Sequence, residues 1–533
     1  MEDKIQAPES QNMKLLQQFL RRYKRAQGVA DLWASLHEAC YHYAIPNRNK
    51  FWRPKEQQGE AKGTRVYDTT GIESTKTFVS KLHNAMTPPQ TQWGFFEIDV
   101  PFDTEDSAEI EEAQLLVDEY AKKLFTYIHD SNFDVVINEC YFDLAVGTAC
   151  IVVNSFTDKQ PLLFTSIPMD KLAIEEAMTG RVESWYRYWE DVKISEIKTR
   201  WHKAEIPAEF LQMIAEDPDA TVRMIYEGVM FMPNEKKPYC YIVASDSHLM
   251  LKAYFETNPG IVWRFQKTNN DVFGRGPIMD ALPSLISLNE LARIELASAN
   301  LNVFRPYMAF SDSVFNPHTF TMQPMSIIPI APIGADGQPP LIPLTDASNP
   351  QFAQLTIQDL RAQIERLLFS DSPIPTDSVQ PPTATEMMIN QQMLAQRIGP
   401  LFSRLQQEFL HPLIERCMYI LDKKGLLPKP KFKDGTEISF QYISPLALAK
   451  NQEQVARFTQ WYQLIQGIFG AEAAQIYLNP NIVPWRLADL MQLDTSFMNK
   501  QQGVQEALQE LQNQVTESED MMREQGIPPQ QAG

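Results

Sequence analysis

Four stretches of this 533-residue chain carry residue types that could do chemistry. His37-Glu38-Ala39-Cys40-Tyr41-His42 sets two imidazoles beside a carboxylate, the raw material of a zinc site. The second histidine follows five residues after the first rather than four, so on a helix the rings point roughly 140° apart and are poorly placed to share a metal. Asp130-Ser131-Asn132-Phe133-Asp134 opens like a calcium loop, but Val135 stands where the turn glycine belongs and Tyr141 where the bidentate carboxylate belongs. Asp103, Glu105 and Asp106 could hold magnesium for a nuclease, yet carboxylates in that pattern are also what the positive end of a helix attracts. Gly274-Arg275-Gly276 opens like a dinucleotide loop and then places Met279 at the third glycine position.

No phosphate loop of the ATPase type is present, and the eight histidines form no catalytic constellation. The expectation is a protein without catalytic residue, cofactor or metal.

Composition bounds the partners. The formal charge of −19 argues against a surface that grips nucleic acid, because phosphate neutralisation by cations supplies most non-specific affinity. Five scattered cysteines without a CxxC pair fit a reducing compartment better than a disulfide framework or a zinc ribbon. No apolar run reaches the ~18 residues of a membrane span, and the first residues lack a signal peptide's basic start and apolar core. The hydrophobic share of 44% is ample for sizeable cores.

The elements that must position any site read as follows. Leu15, Leu16, Phe19, Leu20, Leu32 and Leu36 predict a helix over 10–45, with Arg21-Arg22-Tyr23-Lys24-Arg25 on it. That basic cluster reads as a solvated face rather than a contact with a partner protein or nucleic acid. A second helix over 71–87 ends at Pro88-Pro89, and Ser107 to His129 is amphipathic. Short β-branched or aromatic runs at 149–154, 162–165, 222–231, 239–244 and 262–266 predict strands, giving an α+β, mainly helical chain.

A helix opening at Gly274-Arg275-Gly276-Pro277 is predicted up to Val303, its continuous part beginning near Leu282 so that Pro283 falls in the first turn. Leu282, Leu285, Leu288 and Ala292 form one apolar stripe, and Leu291, Ile294 and Ala297 a second. A helix apolar on two sides needs neighbours, either equivalent helices in a ring or the core of a monomer, and the pattern alone does not choose.

The insert from Phe304 to Pro350 holds nine prolines and no lysine. Prolines at that density exclude central strands but permit edge strands, which invite pairing with another chain. Its apolar pieces, Pro324, Met325, Ile327, Ile328, Pro329 and Ile330, then Leu341 and Ile342, are what an inter-subunit contact needs. A short helix over 355–369 follows, then a polar loop with Ser370, Asp371, Ser372, Pro373, Thr376, Asp377 and Ser378. Thr383 and Glu386 make a capping box for a long helix that Gly399-Pro400 should bend. The end of the chain, 494–533, is rich in Gln and Glu with a thin apolar stripe, which suits a helical bundle or a frayed terminus.

This order of elements resembles the portal proteins, or head-to-tail connectors, of short-tailed bacteriophages. Arg65-Val66-Tyr67-Asp68, Leu82, Met86 with Pro88-Pro89 and Trp93, Leu144 to Cys150 with Gly147, and Ser444-Pro445-Leu446 look like that family's signatures. The resemblance implies an N-terminal arm and wing over 1–270, a stem helix over 271–303, a clip over 304–350, a second stem helix over 351–369, a tunnel loop over 370–382, a long wing helix and inner wing over 383–490, and a crown or tail over 491–533. It implies a ring, a dodecamer, at one vertex of the virion, made in the host cytoplasm. Its implied partners are the major capsid protein, scaffolding protein, terminase large subunit, tail adaptor or tail tube protein, and double-stranded DNA passing through without sequence preference, with no membrane. A non-viral oligomeric scaffold and a metal-dependent nuclease are the alternative readings.

Overall fold

The computed structural model describes residues 7–48, 51, 65–99, 107–303, 307–309, 341–343, 350–371, 402–427, 437–442, 445–469, 483 and 487. Contacts divide the chain into two units, residues 1–383 with 398–442, and residues 384–397 with 443–533.

In the first unit, helices α1 (Ala7–Ala44) and α2 (Thr70–Met86) match the two predicted N-terminal helices. Strand β1 (Gly94–Asp99) leads to α3 (Ser107–His129), α4 (Phe133–Val146) and strands β2 (Thr148–Ser155), β3 (Leu162–Ser166), β4 (Leu172–Glu176) and β5 (Val182–Lys193). Helices α5 (Ile194–Arg200) and α6 (Ala208–Glu216) precede β6 (Thr221–Phe231), β7 (Tyr239–Ala244), β8 (Leu249–Phe255) and β9 (Gly260–Arg264). Then come α7 (Pro277–Val303), β10 (Tyr307–Ala309), β11 (Leu341–Pro343), α8 (Pro350–Leu367), a π-helical turn (Gln406–Leu410), α9 (His411–Lys424) and β12 (Glu437–Tyr442). In the second unit the described element is α10 (Pro445–Phe469), with Trp461, Leu464 and Ile468 exposed.

Strands β4 to β8 form an antiparallel meander in sequence order, and β2 pairs with β3 and β9 in a three-stranded sheet. Side chains alternate between faces along a strand, and the cores follow that period. Cys240, Ile242 and Ala244 of β7 face Leu16, Phe19, Tyr23 and Ala26 of α1, while Tyr241 and Val243 join the opposite core with α5 and Phe210 of α6. In β2, Cys150 and Val152 enter that same core, whereas Ala149, Ile151 and Val153 enter the helical core made by α2, α3, α4, α7, α8 and α9. The smaller sheet is therefore a partition buried on both faces. Helix α4, apolar around most of its circumference, lies against it and was not separable by periodicity from a buried strand.

Helix α7 begins at Pro277, five residues before the expected start near Leu282. Proline costs nothing at the first helical position, where its missing N–H would have no partner, and Met279 and Asp280 close the first turn onto the carbonyl of Gly276. Pro283 consequently lies inside the helix, on its exposed side, and removes one backbone bond there. The two apolar stripes separate. Leu282, Leu285, Leu288 and Ala292 are buried, whereas Ile294 is 54% exposed.

Candidate functional site

Two glycine-containing segments meet backbone to backbone at the root of α7. A Cβ on Gly147 would lie 2.1 Å from the carbonyl oxygen of Gly274, and one on Gly276 would lie 2.3 Å from that of Ala145. Only residues without side chains allow this crossing. Gly276 donates to the carbonyl of Val146 at 2.9 Å, and Gly274 donates to Oγ1 of Thr148 at 2.8 Å. The Gly274-Arg275-Gly276 motif is thus a structural weld between the α4–β2 corner and α7, not a phosphate cradle.

The weld is reinforced by Arg264, which has no exposed side-chain surface and ties four segments together. Its Nη2 donates to Glu408 Oε1 at 2.8 Å and to the carbonyl of Gly180 at 2.6 Å, and its Nη1 donates to the carbonyl of Val272. Glu408 sits on the π-helical turn, four residues before Pro412, whose ring nitrogen cannot donate to the Glu408 carbonyl. Phe409 on the same turn stacks on Trp263 at 4.2 Å. The hairpin tip, the end of β9, the approach to α7 and the turn before α9 are fixed to one another.

Halfway along α7, buried Asn289 holds the segment 65–67: its Oδ1 accepts from the Tyr67 N–H at 2.7 Å and its Nδ2 donates to the Arg65 carbonyl at 3.2 Å. Arg361 of α8 donates to Asp68 Oδ2 at 2.7 Å, and Asp68 Oδ1 caps α2 through the Thr70 N–H. Burial opposes the Asp68 charge, but the hydrogen bonds from Thr70 and Arg361 hold its carboxyl below the usual range. The signature Arg65 to Asp68 is the strap that binds α7 and α8 to α2.

The base of the predicted channel loop is equally defined. Phe369 adopts φ +53° after α8, with its N–H donating to the Arg366 carbonyl while Ser370 donates to that of Glu365. This is a Schellman cap with phenylalanine where glycine is usual. A non-glycine residue there costs about 1–2 kcal/mol. Two contacts from α2 hold it. The Phe78 ring lies 6.0 Å from that of Phe369, and Lys81 Nζ donates to the carbonyls of Phe369 at 3.0 Å and Asp371 at 3.1 Å. Ser370 and Asp371 are therefore anchored; Ser372, Pro373, Thr376, Asp377 and Ser378 lie outside the described residues.

In the proline-rich insert, β10 and β11 pair antiparallel, Met308 opposite Ile342 and Ala309 opposite Leu341. That pairing is within one chain, between the two ends of the insert. Pro324, Met325, Ile327, Ile328, Pro329 and Ile330 fall outside the described residues, as do 383–401 with Gly399-Pro400, the Asp103 to Asp106 run and the end of the chain.

The remaining near-motifs are occupied by structure. His37 packs among Trp33, Phe51 and Phe273, and burial lowers its pKa to about 4. Asn132 pins β3 by bonding both the N–H and the carbonyl of Phe164, and Asp134 faces His129. Among the described residues no three His, Cys, Asp or Glu side chains are close enough to hold a metal ion. The buried carboxylates Asp143 and Glu227, like Glu408, each face a guanidinium, from Arg48, Arg187 and Arg264 respectively. Burial opposes the charge of Glu227, yet Arg187 beside it, with bonds from Trp189 and Tyr241, holds it below the usual range. These groups join distant segments. What sequence reasoning missed is this set of clamps, since their partners lie 40 to 144 residues apart.

What the geometry defines is a welded framework from which two packed helices, α7 and α8, extend. The family model for the bacteriophage head to tail connecting protein matches residues 16–498, and the chain belongs to that family. It is 21% identical over 460 residues to a probable portal protein of Bordetella phage BPP-1, covering 81% of this chain and 79% of that one. It is also 21% identical over 484 residues to the portal protein of Salmonella phage epsilon15, covering 85% and 82%. Among solved structures, the virion of a native gene transfer agent particle aligns with 79% of this chain and 90% of that chain at 10% identity and a TM-score of 0.40.

Proposed function

We propose that the chain is the portal of a short-tailed phage: a ring of about a dozen subunits at one capsid vertex, through which double-stranded DNA enters and leaves. In this reading α7 and α8 are the stem, the insert is the clip, residues 370–382 are the tunnel loop, and the part before α7 is the wing. The major capsid protein and scaffolding protein meet the wing, and the terminase large subunit and later the tail adaptor meet the clip.

The observation that carries the reading is the set of apolar side chains that the paired helices leave uncovered. Ile286, Ile294 and Leu296 of α7 and Leu355 of α8 are 38%, 54%, 52% and 61% exposed in a single chain. Apolar side chains recurring on a rigid, strapped pillar favour burial against equivalent pillars, and a heterologous contact that closes makes a ring. Replacing Ile294 and Leu296 with glutamate tests this. Size exclusion with light scattering should then find folded monomers where the native chain gives a large closed species, and an unchanged species would refute the stem assignment.

A further inference from the structure

Residues 11–30 contain five cations, Lys14, Arg21, Arg22, Lys24 and Arg25, and no carboxylate, in a chain of net charge −19. The fold sorts them. Arg22 turns inward, its guanidinium bonding Glu175 Oε2 at 2.8 Å, Ser184 Oγ at 3.1 Å and the Phe231 carbonyl at 3.3 Å. Leu16, Phe19, Tyr23 and Ala26 bury the rest of that side against the meander sheet. Lys14, Arg21, Lys24 and Arg25 are left on the exposed side, and among the described residues no ion pair engages any of the four.

We propose that this face of α1 binds the phosphate backbone of double-stranded DNA outside the channel, an inference that rests on the chain being a portal. At 100° per residue, Lys14, Arg21 and Arg25 fall within about 40° of one another, and at 1.5 Å per residue they span roughly 16 Å. That is about half a turn of duplex. Exposed Gln17 and Gln18 lie between them and add amide donors suited to phosphate oxygens. The sheet beneath holds the helix rigid, so little ordering cost is added on binding.

A phosphate backbone suits this face better than an acidic protein does. A protein interface needs a desolvated apolar centre, and the exposed apolar residues of α1, Met13 and Leu32, stand at the two ends of the cationic face instead. Helix α7 offers no comparable surface, because Arg293 is ion-paired with Glu290.

The test compares the full-length protein with its Lys14→Gln, Arg21→Gln, Lys24→Gln, Arg25→Gln variant, titrating a 30-base-pair duplex at several salt concentrations. Four phosphate contacts predict a native affinity falling on the order of 100-fold between 50 and 200 mM salt, and a slope reduced by about one per cation removed. Retention of the native slope in the variant overturns the proposal. So does tight capture of polyglutamate by the native protein with no duplex binding, which would assign the face to an acidic protein. Light scattering on the same samples separates this from the ring: loss of assembly in the variant would place the face between subunits and overturn it, whereas a native monomer that still shows the slope difference supports the face while removing the ring reading.

Discussion

Asn289 and Tyr67, 222 residues apart in sequence, are joined by a 2.7 Å hydrogen bond from the Tyr67 N–H to the Asn289 side-chain oxygen. The same amide binds the Arg65 carbonyl, so one buried side chain satisfies both polar edges of a strap that crosses the pillar. An aliphatic residue here would orphan two backbone groups.

Asn289→Ala should therefore cost about 1–3 kcal/mol. Asn289→Asp keeps the acceptor for Tyr67 and loses the donor to Arg65, so it should also be destabilised. Urea unfolding measures both, and an alanine variant with native stability would show that the strap is not held by this amide.

The Arg264–Glu408 pair should behave as a buried clamp. Glu408→Gln leaves the guanidinium, 0% exposed, with Glu176 at 3.7 Å as its remaining carboxylate and should lose about 1–3 kcal/mol. Arg264→Met with Glu408→Leu should recover part of that, since neither charge remains buried alone. A double variant less stable than the sum of the two single changes would contradict the clamp.

Periodic elements were legible in the sequence because a helix or strand with one buried face writes its period locally. The helix over 107–129 and the strand over 239–244 were read with the observed bounds. Helix α4 was not, because apolar Val135 stands on its outward side and polar Asp143 on its buried side, which blurs the period. The opening of α7 at Gly274-Arg275-Gly276-Pro277 was legible, whereas the continuous start near Leu282, set by taking Pro283 as a first-turn proline, was not, since Pro277 already fills that role. Gly147, Gly274 and Gly276 stood out as residues, yet their reason is a contact between segments 127 residues apart, invisible to any local pattern. Lys81 carried no signal at all. A lysine on an amphipathic helix reads as solvated, and only the fold brings it to the carbonyls after α8.

The loop base gives a separable prediction. Lys81→Met removes two charge-assisted bonds and should raise hydrogen exchange at 366–371 while leaving the meander sheet protected. Unchanged protection there would mean that Lys81 does not secure the loop. Shortening the loop within 372–380 should leave assembly intact and reduce the genome content of particles, and normal content would refute a valve role.

Two buried groups set opposing pH dependences. Burial lowers the His37 pKa to about 4, so its contribution is present above pH 6.5 and lost as pH falls toward 4. Burial, only partly offset by Arg48 and Tyr41, raises the Asp143 pKa to about 6, so its contribution is full below pH 3.8 and lost as pH rises through 6. Each can move stability by up to about 3 kcal/mol across its window. Asp143→Asn should leave a stability that climbs steadily from pH 4 to 6.5, and His37→Gln one that declines over the same range. Identical pH profiles in both variants would contradict the assignment.

Deleting Pro306 to Ser348 should leave the wing folded while weakening the closed assembly and abolishing tail-adaptor binding, because strand-edge pairing between chains would be lost. Pull-down of the adaptor by the deleted protein at native affinity would exclude the clip role.

The central claim is that the uncovered apolar residues of α7 and α8 pack between subunits to close a ring. Light scattering coupled to size exclusion, followed by negative-stain imaging of the peak, tests it on the native chain. The account predicts one large species of about a dozen subunits with a central hole, and a persistent monomer or dimer across the accessible concentration range would contradict it.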